Sequence, residues 1–108
     1  MSPVLDLSGL EAKAVEVAAV MKALANPRRL LILCHLAEAG SASVNALAAT
    51  VGLSQSALSQ HLGLMRDEGL VRFERDGQTL NYRIADRRVG KLLDTLYHLY
   101  CAPPGEAQ

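Results

Sequence analysis

The chain has 108 residues, of which half are apolar, and its eleven Lys and Arg residues balance eleven Asp and Glu residues. This length suffices for one domain with a modest core, and the zero net charge excludes a histone-like protein that binds through bulk positive charge. The chain shows no secretory leader pattern and no apolar run long enough to cross a bilayer. We therefore expect a cytoplasmic protein with no membrane partner, in which both cysteines are reduced at rest.

The first part of the chain predicts an irregular arm and then two helices. Residues 1–9 carry no periodic pattern and predict a flexible N-terminal arm. Apolar residues then recur at helical spacing over residues 10–24. Asn26 and Pro27 open a second helix, because Asn caps helix N-termini and Pro suits the first helical position. This helix ends near Gly40, and its apolar run LLIL leaves almost no solvated face, which predicts the buried central helix of the domain.

Residues 43–68 predict a helix-turn-helix. The stretch Ser41-Ala42-Ser43 caps its first helix, and the two helices meet at Val51-Gly52-Leu53. The second helix carries short, uncharged hydrogen-bonding side chains in its first turns: Ser54, Gln55, Ser56, Ser59, Gln60 and His61. Such residues are mediocre helix formers, and solvated faces usually carry Lys and Glu. The pattern therefore favours a helix that hydrogen-bonds base edges in the major groove of duplex DNA, with a plain solvated face as the alternative.

After Gly69 the pattern changes from helical to alternating. Residues 70–75 and 79–84 predict a β-hairpin with Asp76-Gly77 in its turn. A hairpin directly after a DNA-reading helix is the wing of a winged helix. We expect its tip to present four side chains to DNA phosphates or to the minor groove: Arg72, Arg75, Gln78 and Arg83. The alternative is an ordinary hairpin with charged residues in solvent.

Residues 86–101 predict a last helix with a wide apolar stripe, which Ala102-Pro103-Pro104-Gly105 ends. Residues 102–108 predict a C-terminal tail. The helices over 10–24 and 86–101 carry more apolar surface than a small domain needs, so we predict a homodimer through these two helices. Packing within one protomer is the competing use of the same surface.

Four motifs, taken in order, resemble the ArsR/SmtB family of bacterial winged-helix repressors over about residues 10–101: ALANPRRL (23–30), LSQSALSQHL (53–62), LMRDEGLV (64–71) and GQTLNYRI (77–84). The resemblance implies an α+β, mainly helical, winged helix-turn-helix fold of four helices, a two-stranded wing and a fifth helix. It also implies one DNA-binding and dimerisation domain, a homodimer, and binding to double-stranded operator DNA that an inducer relieves. An enzyme is not expected, because no set of nucleophile, base and orienting residue and no phosphate loop is present.

The family's metal ligands are missing from the matching positions. Ser43-Val44-Asn45 stands where the arsenic branch has Cys-Val-Cys. Arg88 stands where the zinc site of the last helix has a histidine two residues after Asp86, and a cation there would repel a metal. The three histidines of the chain are dispersed, without the spacing that zinc needs. We therefore expect no metal site and no cofactor.

Cys34 in LCHL (33–36) and Cys101 in LYHLYC (96–101) resemble the persulfide-sensing branch of the same family. In that branch the two thiols of one protomer become linked through added sulfur atoms and operator affinity falls. The resemblance therefore implies a repressor induced by reactive sulfur species. A general thiol-redox or metal-responsive repressor, or a winged helix that docks proteins, remains an alternative, and Cys34 taken alone could be a core residue.

The chemistry of a thiol bridge sets two further expectations. A disulfide requires close Cα atoms, and inserted sulfur atoms lengthen the reach. Thiols held slightly too far apart for a disulfide would therefore select for persulfides. Exchange also requires a thiolate, which the dipole at a helix C-terminus disfavours at Cys101. His98, one turn earlier, is the candidate activating group.

Overall fold

The computed structural model describes residues 7–101. It contains five helices and three strands: α1 (Leu7–Leu24), α2 (Pro27–Ala39), β1 (Ala42–Ser43), α3 (Val44–Val51), α4 (Gln55–Asp67), β2 (Val71–Asp76), β3 (Thr79–Ile84) and α5 (Arg87–Tyr100). Four helices, a hairpin and a fifth helix follow one another as the winged helix-turn-helix fold requires, which confirms the predicted fold class. No helix in this part of the chain is long and apolar enough to span a membrane.

The N-terminal boundary differs from the prediction. Helix α1 begins at Leu7, so residues 7–9 of the predicted arm are helical. Leu7 lies three residues before Leu10 and extends the apolar pattern of the helix by one step. Residues 1–6 of the predicted arm and the predicted tail over 102–108 lie outside the described residues.

Side-chain caps fix the starts of the helices. The Asn26 side chain accepts hydrogen bonds from the backbone N–H groups of Arg28 and Arg29 at 2.9 and 3.1 Å. Ser43 caps α3 in the same way, at 3.2 Å from the N–H of Ala46. These side-chain oxygens pair backbone donors that the first turn of a helix leaves without partners. The predicted capping roles of Asn26 and of the serine before α3 are thus confirmed.

Helix α2 supplies the centre of the core, although one side of it is solvated. Ile32, Leu33 and Leu36 are fully buried, and the other elements pack around them. Leu31, however, is 47% exposed, so the prediction that α2 has almost no solvated face is wrong. The reason is geometric: successive helical residues point about 100° apart, so four consecutive apolar residues cannot all face one core.

The second strand of the hairpin is the predicted one, whereas the first is Val71–Asp76 instead of residues 70–75. Asp76 pairs with Thr79, so the loop consists of Gly77-Gln78 and is one residue shorter than the predicted connection 76–78, which had Asp76-Gly77 in its turn. Gly77 has φ +65° and occupies the first loop position, the place that a type II′ turn reserves for glycine. The two-residue strand β1 pairs with β3 to complete a sheet of order β1-β3-β2. A strand of two residues has no alternating pattern, so the sequence did not indicate it.

The register also corrects the predicted wing tip. Arg72 and Arg83 stand directly opposite each other, next to the Val71–Ile84 pair at the base of the hairpin. They therefore do not lie at the tip. The Nε atom of Arg83 is 3.4 Å from Oε1 of Glu74, an ion pair without the alignment of a hydrogen bond.

Candidate DNA-binding surface and thiol pair

Helix α4 turns its polar face outwards because its apolar residues are anchored in the core. Leu58, Leu62 and Met65 are fully buried. The residues between them therefore project to solvent, and five of the six polar residues predicted to contact bases are exposed: Ser54, Gln55, Ser56, Ser59 and Gln60. His61 is half-buried. The structure thus brings the predicted base-reading residues together on one side of one helix.

Two of these residues are already engaged in holding the helix-turn-helix. Ser54 caps α4, its hydroxyl accepting a hydrogen bond from the N–H of Ala57 at 3.1 Å. Gln55 donates from Nε2 to Oδ1 of Asn45 on α3, which ties the first turns of the two helices together. Within residues 7–101, no such partner is seen for the side chains of Ser56, Ser59 and Gln60, which therefore keep their hydrogen-bonding capacity for another molecule.

Arg28 and Arg29 fix the helix-turn-helix to α2, a role that the sequence analysis did not assign. Arg29, only 16% exposed, forms an ion pair with Glu68 at the end of α4, with 3.0 Å between Nη1 and Oε1. Arg28 donates from Nη1 to the carbonyl of Val51, the last residue of α3, at 3.4 Å. The sequence does contain a signal for this role. Two arginines in the first turn of a helix interact unfavourably with the positive end of the helix dipole, which indicates that interactions with other elements stabilise them there.

The wing offers a second polar surface beside α4. Arg75 is one residue from the end of β2, Gln78 lies in the loop, and both are exposed. Arg66 of α4 lies over the ring of Phe73, 5.7 Å from its centroid, and so packs the end of α4 against the wing. Arg75 and Gln78 are thus the predicted wing residues that the structure places near the tip.

The two cysteines lie on α2 and at the end of α5, two helices that pack against each other. Both are free; Cys34 is half-buried against the core and Cys101 is exposed. Burial raises the pKa of the Cys34 thiol, and the negative charge of a Cys101 thiolate raises that pKa further. The pKa of Cys34 thus responds to the charge of Cys101, and Cys101 is the more accessible of the two thiols.

His98 is bound to a residue other than Cys101. Its Nδ1 lies 2.9 Å from the carbonyl oxygen of Asp94 and 3.5 Å from the carboxylate of the same residue. Asp94 is one turn closer to the start of α5, whereas Cys101 is one turn closer to its end. The interaction with Asp94 therefore fixes the ring of His98 through Nδ1.

A guanidinium occupies the position where a metal site would require a ligand. Arg88 bonds to the carboxylates of Asp86 and Glu16, with oxygen–nitrogen distances of 2.8 and 2.7 Å. These hydrogen bonds hold the pKa of both carboxyl groups below the ordinary range. Among residues 7–101, no group of three His, Cys, Asp or Glu side chains is placed to hold a metal ion.

The faces of α1 and α5 that do not pack in the core remain apolar and exposed. On α1 these residues include Leu10 and Met21, which are 53% and 51% exposed. On α5, Leu99 and Tyr100 are 68% and 82% exposed. Apolar surface of this extent on neighbouring helices is typical of a protein–protein interface.

Comparison with known proteins relates this arrangement to a family. The profile described as "Bacterial regulatory protein, arsR family" matches residues 26–72, from the cap of α2 into β2. The HTH-type transcriptional regulator YgaV of Escherichia coli K12 is 45% identical over 96 residues, which are 89% of this chain and 97% of that protein.

Solved structures agree with the sequence matches. The crystal structure of the transcriptional repressor BigR from Xylella fastidiosa has a TM-score of 0.83 at 35% identity, covering 92% of this chain and all of that one. The solution structure of a homodimeric winged helix-turn-helix domain, Mb0332 of Mycobacterium bovis, has a TM-score of 0.70 at 38% identity, covering 89% of this chain and 86% of that one.

The different surroundings of the two thiols predict different reactivities. In the reduced protein we expect iodoacetamide at neutral pH to alkylate Cys101 several-fold faster than Cys34, because burial and like charge keep Cys34 protonated. Raising the pH should speed up Cys34 more than Cys101, and Cys101→Ser should speed up Cys34 at a given pH by removing the neighbouring charge. Peptide mapping by mass spectrometry measures both rates; faster alkylation of Cys34 at neutral pH would contradict the assignment.

Proposed function

Since the chain belongs to the ArsR family of bacterial regulatory proteins and is accordingly a DNA-binding transcriptional regulator rather than an enzyme, we propose that it is a repressor released from its operator when sulfur links Cys34 to Cys101. The observation that carries the proposal is the pair of free thiols on the packed helices α2 and α5. The thiols belong to α2 and to the end of α5, not to α4, so their modification would act on DNA binding through the protein.

The face of α4 supports sequence-specific reading of duplex DNA. The N-terminal half of a recognition helix enters the major groove, where serine and glutamine side chains hydrogen-bond base edges. The exposure of Ser56, Ser59 and Gln60 in that half of α4 supports base contacts, and the exposure of Arg75 and Gln78 near the wing tip supports contacts to phosphate or the minor groove. Arg72, at the base of the wing, is the least favourably placed of the proposed DNA contacts.

The apolar faces of α1 and α5 support a homodimer. These faces include Met21 and Leu99, which the protomer leaves exposed, and the Mycobacterium bovis relative is described as homodimeric. A two-fold axis through α1 and α5 would place two copies of α4 on one side of the dimer, so that each copy reads one half of a palindromic operator.

An organic trisulfide, R–S–S–S–R, provides the chemistry for the bridge. The Cys101 thiolate attacks the central sulfur of the donor and expels R–S⁻, which gives Cys101–S–S–S–R. The Cys34 thiolate then attacks the central sulfur of these three and expels a second R–S⁻, which leaves Cys34–S–S–S–Cys101. Two protein thiolates are oxidised, and the donor is reduced to two thiolates. The first step removes the charge that raises the pKa of Cys34, and this prepares the second thiol.

The arginines of α2 connect the thiols to the DNA-reading helix. Cys34 lies on the same helix whose first turn holds α3 through Arg28 and α4 through Arg29. A bridge that shifts α2 against α5 would therefore move α4 relative to the proposed dimer axis. A coupling free energy of about 1–3 kcal/mol, which is a 5–150-fold change in affinity, suffices for such a switch.

The DNA-reading surface can be tested on duplexes selected by the protein from a random-sequence pool. Gln60→Ala should weaken binding to the selected duplex by about 1–3 kcal/mol and relax the sequence preference of the protein, because a base contact is lost.

Arg75→Ala should weaken binding to every duplex and reduce the slope of log affinity against log salt by about one, because a phosphate contact is lost. Lys22→Ala on α1 is the matched control for Arg75→Ala; equal effects of these two charge removals would contradict the wing assignment. A salt-independent interaction would indicate a protein-docking module.

The thiol switch can be tested with Cys34→Ser, Cys34→Ala and Cys101→Ser. Each variant should bind the selected duplex within about twofold of wild type, whereas a trisulfide should weaken binding about 5–150-fold in wild type only. Fluorescence anisotropy measures binding, and circular dichroism checks folding. A folded variant that has lost DNA binding would show that the cysteine is structural, and a variant that is still released would show that the thiol pair is not the switch.

A further inference from the structure

An open groove runs between the second half of α2, the base of the wing and α5. Cys34 lines one end of it, together with Tyr97 and His98, and the groove continues past Gly40 on α2 and Gly90 on α5. Its volume is about 1280 Å³, more than a drug-sized ligand requires. The groove therefore has room for a peptide-sized molecule beside the Cys34 thiol.

The end of the groove away from Cys34 is positively charged. Arg72 and Arg83 face each other across the sheet, and Arg87 and Lys91 lie one turn apart on α5. Four cations thus line the groove against two carboxylates, those of Glu38 and Asp94.

Three of these cations are not neutralised by the protein. Within residues 7–101, no carboxylate lies within 4.0 Å of the charged groups of Arg72, Arg87 or Lys91, whereas Arg83 is paired with Glu74. The field in the groove therefore favours an anionic ligand.

Helix geometry sets the length of that ligand. Lys91 precedes Cys101 by ten residues, which corresponds to about 15 Å along the axis of α5. An extended tripeptide spans about 10 Å, and the lysine side chain covers the remaining distance. A bare polysulfide ion is too short to contact both the thiols and these cations, so the anionic groups have to lie on arms of peptide length.

Gly90 lines the groove without placing a side chain in it. A mid-helix glycine costs about 0.5–1 kcal/mol relative to alanine, and packing does not require one here, since no heavy atom lies within 4 Å of a Cβ built at this position. Gly90 shares a helix face with Tyr97 and Cys101, at steps of seven and four residues. Space is thus left open on the face of α5 that leads to the thiols.

We propose that this groove binds the sulfur donor itself, and that the donor is an organic trisulfide whose arms are acidic peptides. The arms contact Arg87, Lys91 and Arg72, and the central sulfur reaches Cys101 and Cys34, where the two exchange steps given above produce the bridge and release two R–S⁻. The inference rests on the proposed thiol switch and adds to it the chemical class of the inducer and the residues that select it.

The test compares two donors, glutathione trisulfide, whose arms are acidic, and bis(2-hydroxyethyl) trisulfide, whose arms are neutral. Intact-mass spectrometry follows the bridging rate of the full-length reduced protein. The variant Arg87→Gln/Lys91→Gln should react with the acidic donor on the order of tenfold more slowly than wild type, and at an unchanged rate with the neutral donor. Added salt should lower the wild-type rate with the acidic donor only.

Two further variants distinguish the effect of charge inside the groove from the effect of the open volume at Gly90. Lys22→Gln removes a cation outside the groove and should leave both rates unchanged. Gly90→Leu places a side chain in the open groove and should slow the bulky acidic donor more than the small neutral one, while circular dichroism shows an intact fold.

The outcomes also distinguish failure of the proposed donor site from failure of the proposed thiol switch. If the double variant reacts with both donors at wild-type rates, or loses both rates equally, the groove does not select the donor, although the thiol switch stands. If neither donor bridges the wild-type thiols, the thiol switch and the donor site are both overturned.

Discussion

The anchoring of α2 is the constraint on which the rest of the structure depends. Its buried side, centred on Leu33 and Leu36, fixes its position against the other helices and the sheet. Its first turn holds the end of α4 through the ion pair between Arg29 and Glu68, and its middle carries Cys34. One helix therefore connects the proposed DNA-reading surface to the proposed sensing thiol. A displacement of α2 would reach α4, because close-packed protein interiors transmit strain.

In the proposed switch, a small chemical change at two thiols regulates the binding of a large ligand, duplex DNA. Cys34 is half-buried with a raised pKa, whereas Cys101 is exposed at the end of α5. In the proposed switch, the exposed thiol meets a donor first, and the half-buried thiol completes the bridge between the two helices. At the start of the same helix, far from Cys101, Arg88 binds the carboxylates of Asp86 and Glu16 and so links α5 to α1.

Features set by neighbouring residues could be predicted from the sequence. The caps at Asn26 and Ser43 depend on one side chain and the backbone beside it, and both predictions are confirmed. Features set by packing or register could not. The exposure of Leu31 depends on which side of α2 meets the core, and the distance of Arg72 from the wing tip depends on the pairing of the two strands, which sets Arg72 opposite Arg83 at the base. The charged groove escaped prediction because it joins α2, the wing and α5, which are distant in sequence. The approach of Cys34 to Cys101 was expected only from the resemblance to the family.

The most direct test of the central claim is the intact mass of one sample whose DNA binding is measured in parallel. Reduced protein is treated with an organic trisulfide or with hydrogen peroxide, and each product is weighed and titrated against the selected duplex. We predict that the trisulfide adds one sulfur atom and removes two hydrogen atoms within one chain, linking Cys34 to Cys101, and that only this sample loses affinity. Loss of two hydrogen atoms and of DNA binding after both treatments would contradict the claim and identify a general thiol switch.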